Sequence, residues 1–168
     1  MRAAYLISVW LHIVAASVWI GGMAFLTLVV VPWLRAGRER IAGALLRETG
    51  GRFLPLAWSV FGILLATGSF NLYVRGVRLS NLLDTGWLAT PFGKAVALKL
   101  ALFATILIVS AIHDFGVGRR AAAAMEADPQ SSQALSLRRQ ASLLGRINAL
   151  LALAIVLVAV MLVRGGIA

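Results

Sequence analysis

From Ala3 to Leu34 the chain carries no Asp, Glu, Lys or Arg, and three more runs of the same kind follow. The second extends from Phe53 to Val74. The third, Ala95 to Ile112, is broken by one charge, Lys99, and the fourth covers Ile147 to Val163. About 20 apolar residues in a helix cross the roughly 30 Å hydrocarbon layer of a bilayer. Backbone amides in lipid have no water to bond, so a run of this length is helical unless it belongs to a closed barrel. Barrel strands would be shorter and alternate polar with apolar residues, and these runs do not. The expected fold is therefore all-α: an integral membrane four-helix bundle with short loops, its spans at about 5–33, 53–74, 91–115 and 143–163. The whole chain reads as one transmembrane domain. Composition agrees: of 168 residues, 61% are hydrophobic and 13% charged, against about a quarter charged in a soluble domain.

The first run is too long past Ala15-Ala16-Ser17 to be a signal-peptide core. There is no cysteine, which removes disulfides, thiolate metal sites and Cys nucleophiles. A net charge of +10 suggests nucleic acid only until its distribution is considered. Loop one holds Arg35, Arg38, Arg40, Arg47 and Arg52, and loop three holds Arg119, Arg120, Arg138, Arg139 and Arg146. The opposite side has Arg2, Arg75, Arg78, Lys94 and Arg164. Ten basic residues against five is the asymmetry that orients membrane proteins. It predicts both termini on the non-cytoplasmic side and a multi-pass protein of the bacterial inner membrane, with the lipid bilayer and no nucleic acid as its partner.

Local signals mark the span ends. Pro32 and Pro55 are expected at helix boundaries, where a missing amide costs little. Thr90-Pro91 reads as N-cap and first helical residue of span three. Asp128 to Ser132 reads as a turn, with helical extensions of spans three and four on either side. Trp10, Trp33, Trp58 and Trp87 have the positions of interfacial anchors. Gly21-Gly22 and the series Gly62, Ala66, Ser69 are expected to bring helices close together.

Ionisable groups within a membrane are costly, which makes the few present candidates for function. His12 lies roughly 10 Å into span one and Lys99 roughly 12 Å into span three, so the two share a level in the outer half. Asn71 ends span two and Met161 ends span four on that side. Trp19 shares the face of span one that carries His12, Ala16 and Met23. An outer-half polar site of His12, Lys99, Asn71, Trp19 and Met161 follows. The alternatives are that His12 serves helix packing and that Lys99 snorkels to the surface. Lys99, Phe103, Ile106, Ser110 and His113 share one face of span three, which should point inward. His113-Asp114, roughly 21 Å beyond Lys99, is expected to cap span three and meet Arg146 or Asn148. His12 and His113 are too far apart to hold one metal ion.

The segment from Leu11-His12-Ile13 through Trp19-Ile20-Gly21-Gly22-Met23-Ala24-Phe25 resembles the opening helix of the copper-resistance protein D (CopD) family. Gly93-Lys94 through Leu98-Lys99-Leu100-Ala101-Leu102 resembles its third helix, and His113-Asp114-Phe115 through Gly118-Arg119 a branch of it. Pro32-Trp33 and the arginine-rich loop that follows look CopD-like as well. The same superfamily includes a four-helix haem b protoporphyrinogen oxidase, similar in having a first-helix histidine and a third-helix lysine. The resemblance thus implies two cargoes. In one, haem b is bound by His12 with Lys99 at a propionate, implying a membrane oxidoreductase. In the other, copper is held by His12 and Met161 and transported, with a periplasmic copper carrier or an electron carrier as partner. A third reading is a non-catalytic subunit of a larger membrane complex or a homo-oligomer. Imidazole and an inward lysine suit haem, whereas copper prefers soft ligands.

Overall fold

The computed structural model describes residues 2–35 and 39–167, with side chains outside 34–47. Arg38 of the first arginine-rich loop lies outside the described residues. The chain is helical nearly throughout: α1 (Arg2–Phe25), a π-helical turn (Leu26–Val30), α2 (Val31–Arg35), α3 (Glu39–Val74), α4 (Thr85–Ala89), α5 (Pro91–Ala111), a second π-helical segment (Ile112–Val117), α6 (Gly118–Ala127) and α7 (Ser132–Val163). Four stretches are long and apolar enough to cross a membrane: Arg2–Trp33, Glu48–Val74, Pro91–Ala127 and Ser132–Val163. These are spans one to four below.

Pro32 falls at the end of span one as expected, whereas Pro55 departs from the boundary expectation. Pro32 lies inside continuous helix, directly after the π turn at Leu26–Val30. A proline ring clashes with the carbonyl four residues earlier, and widening the helix relieves that clash. Pro55 is interior to α3, which starts at Glu39 rather than near residue 53. The carbonyl its ring would strike belongs to Gly51, which with Gly50 has open space around it. Much of the expected first loop is therefore helix. Arg52 there pairs with Glu48 at 2.9 Å, one helical turn away.

The other boundaries match. Thr90 Oγ1 accepts from the Gly93 amide at 3.0 Å, and Pro91 opens α5. Ser131 caps α7 by accepting from the Ala134 amide at 3.2 Å. Gly76, at φ +83°, closes α3. Its amide and that of Val77 bond back to Tyr73 and Leu72, a turn that needs the left-handed backbone glycine allows. At this end of the bundle Arg75 Nε donates to Tyr5 Oη at 3.2 Å. The Ile167 amide donates to the Pro91 carbonyl at 2.9 Å. Both chain ends thus meet the span two to span three connection, and we call this the terminal end.

Span one packs chiefly on span two, and span three on span four. A shared core joins the two pairs: Ala15 and Trp19 from span one, Ala57, Val60, Phe61 and Leu64 from span two, Ile106 from span three and Ala152 from span four. Trp19 and Trp58 lie 5.2 and 5.5 Å from Phe61, ring to ring, and Phe103 lies 6.2 Å from it. The outer surface is apolar, with Leu28, Leu150, Leu153 and Val163 standing well exposed. Such a surface would aggregate in water and is matched to lipid. Helix association there depends on packing rather than on a hydrophobic drive.

The small-residue expectation divides. Gly22 sits under Phe53, whose ring a Cβ would strike. Gly21 and Gly62 have open space around them, and Gly62, Ala66 and Ser69 form an exposed face. Span two instead turns Phe61 and Leu64 inward, one residue either side of which is about 100° away on the helix.

Candidate functional site

His12 reaches across to span two. Its Nδ1 lies 2.8 Å from Thr67 Oγ1, and the Thr67 hydroxyl in turn donates to the Ile63 carbonyl at 2.6 Å. The shorter Ile63 bond assigns the hydroxyl proton to that carbonyl, and on this assignment Thr67 Oγ1 accepts from His12 Nδ1–H. A neutral imidazole has one donor and one acceptor nitrogen, so Nε2 carries the free lone pair. Gly68 provides the clearance: a Cβ there would stand 3.4 Å from His12 Cε1. Ser8, buried one turn before His12, bonds the Thr67 carbonyl at 3.4 Å. Thr67 was missed in the sequence. Its signal was a hydroxyl four residues before Asn71, on the inward side of span two at the level of His12.

Lys99 is half-buried on span three. Asn71 Oδ1 is shut away with no hydrogen-bond partner among the described residues. Trp19 is buried in the aromatic core against Phe61. Met161 is 37% exposed on span four. Among the described residues no Asp or Glu pairs with Lys99. Lys99→Met, which keeps length and removes charge, is expected to leave the fold intact and raise thermal stability in detergent. A loss of stability would show that Lys99 holds a counter-ion.

A second polar group stands at the opposite end. His113 Nδ1 lies 2.8 Å from Asp114 Oδ1, and Trp58 Nε1 donates to Asp114 Oδ2 at 3.0 Å. Trp58, expected as an interfacial anchor, turns its indole to this pair, 5.2 Å from Phe115. Asn148 Nδ2 donates instead to Ser110 Oγ at 2.8 Å, leaving its own Oδ1 buried and unpartnered. The expected contact of His113-Asp114 with Asn148 or Arg146 is replaced by these two pairings, because Asp114 faces span two while Ser110 faces span four. Among the described residues no three His, Asp or Glu side chains converge on a point. Each histidine is a separate centre.

Four lipid-matched helices define a multi-pass membrane protein, with His12 held between spans one and two. Residues 47–162 match the family described as copper resistance protein D. The chain belongs to that family, and the match takes in Thr67, Lys99, His113, Asn148 and Met161 but begins after span one. It is 34% identical over 112 residues to an uncharacterized protein of Aquifex aeolicus, covering 67% of this chain and 69% of that one. It is 32% identical over 104 residues to the copper transport protein CutJ of Bacillus subtilis, covering 62% of this chain but 18% of CutJ. No solved structure matches the chain.

Proposed function

We propose that this chain transports copper at the bacterial inner membrane, with both termini outside and His12 as the outer-half ligand. The observation that carries the reading is the bond chain His12 Nδ1–H to Thr67 Oγ1 to the Ile63 carbonyl, which leaves Nε2 as a bare donor inside the membrane. Imidazole nitrogen is a good copper ligand, and orienting partners of this kind are what hold ligating histidines in register. Met161 is the soft donor that span four, in contact with span one, offers at this end. A site with one or two protein ligands holds its ion loosely, which suits passage rather than storage. Copper arrives from a carrier on the outer side in this scheme.

Haem b, the other cargo the resemblance implies, finds less support. The His12 ring lies against Gly68. Below it Ala15, Trp19, Phe61 and Leu64 are buried together. Cells expressing the protein are expected to differ in copper content or copper tolerance from cells without it, and His12→Ala to erase that difference. Equal copper content with and without the protein would count decisively against transport. A Soret band in the purified protein would return haem.

A further inference from the structure

We infer that His113 is a second copper station, at the opposite end of the bundle from His12. The inference rests on the copper reading above and extends it to a residue which that reading leaves unused.

The two histidines of this chain are built alike. In each, Nδ1 is held at 2.8 Å by an oxygen of fixed role: Thr67 Oγ1 for His12, Asp114 Oδ1 for His113. A carboxylate only accepts, so His113 Nδ1 carries the proton and Nε2 the lone pair. This carboxylate-to-imidazole arrangement is the usual support of a metal-binding histidine. Asp114 is itself fixed from span two by the Trp58 indole at 3.0 Å.

Charge and backbone point the same way. Among the described residues Asp114 has no Lys or Arg within salt-bridge distance, and its one ionisable partner is His113. An ion on His113 Nε2 would stand on the far side of the imidazole from this carboxylate, which supports the ring as a ligand. The pair sits in the π-helical segment Ile112–Val117, closed by the Gly118 amide on the His113 carbonyl. Glycine is needed there, since a Cβ at Gly118 would stand 2.6 Å from that carbonyl oxygen. Single π turns inside α-helices are frequent at functional sites. One turn back on the same face, Ser110 holds Asn148, whose buried Oδ1 is unused. The stations are set apart along the bundle, His113 lying fourteen residues or roughly 21 Å beyond Lys99 at the His12 level. Each offers one nitrogen, so neither holds copper strongly, as transfer requires.

Having two histidines makes the test direct. In protein labelled with nitrogen-15 at histidine and purified in detergent, NMR should show both rings protonated at Nδ1 and bare at Nε2. Cuprous ion, diamagnetic and added anaerobically, should shift both Nε2 signals. In His113→Gln only the His12 signal should remain and respond, which also certifies the fold of the variant. Asp114→Asn should weaken the His113 response roughly 10- to 100-fold and leave that of His12 unchanged. If the His12 signal moves and the His113 signal does not, the second station is overturned and the copper reading stands. If only the His113 signal moves, the station stands and the outer ligand is wrong. If neither moves, both fall. A His113 protonated at Nε2, or an Asp114→Asn protein with unaltered response, would remove the orienting role given to Asp114.

Discussion

Thr67→Val is expected to weaken copper binding at His12 by roughly 10- to 100-fold, the usual effect of losing the partner that orients a ligating histidine. Valine keeps the shape of threonine and removes the hydroxyl. His12 Nδ1 then loses its acceptor, and the proton is free to move to Nε2, where it blocks the lone pair. Thr67→Ser, which restores the oxygen, should recover most of the affinity. Copper titration of the two variants beside the native protein measures this. Equal affinity for native and Thr67→Val protein would mean that Thr67 only packs. The same comparison bears on His12→Ala: a transport defect shared by Thr67→Val and His12→Ala but absent from Thr67→Ser places the chemistry on the ring nitrogen rather than on helix packing.

Gly93→Val is expected to be strongly destabilising at the terminal end. A Cβ at Gly93 would run into the Trp87 carbonyl, and that carbonyl is committed, accepting from the Thr90 hydroxyl at 2.6 Å and from the Thr90 amide at 3.0 Å. Backbone cannot step aside as a side-chain tip can. The turn would have to open, costing about 1–3 kcal/mol as overpacking does. The cap of α5 and the Ile167 contact with Pro91 depend on that turn. Thermal unfolding in detergent should show a clear fall in Tm for Gly93→Val. Gly62→Ala, at a helical glycine with nothing within 4 Å, should be neutral or slightly stabilising. A Gly93→Val protein as stable as the native one would show that the α4 to α5 turn is soft.

Lipid solvation made the four spans readable from sequence, because it requires long charge-free runs and leaves helix as their only open-ended form. The cap at Thr90 and the turn at Asp128 to Ser132 were readable for a similar reason: they depend on residues within one turn of each other. The shared level of His12 and Lys99 followed from counting 1.5 Å per residue along two spans. None of these inferences needs to know which helix touches which. The partners of the polar groups do need that knowledge, and there the tertiary structure decided. Rotation of span two put Thr67 against His12 and Trp58 against Asp114, and turned Gly62, Ala66 and Ser69 outward. Rotation of span four gave Asn148 to Ser110. An apolar helix in lipid has no polar face to announce its orientation, so its rotation is set by the fit of rings such as Trp19, Phe61 and Phe103, contacts between residues far apart in the chain. The helical course through Pro32 and Pro55 was decided in the same way, by room for a widened turn at Leu26–Val30 and beside Gly51.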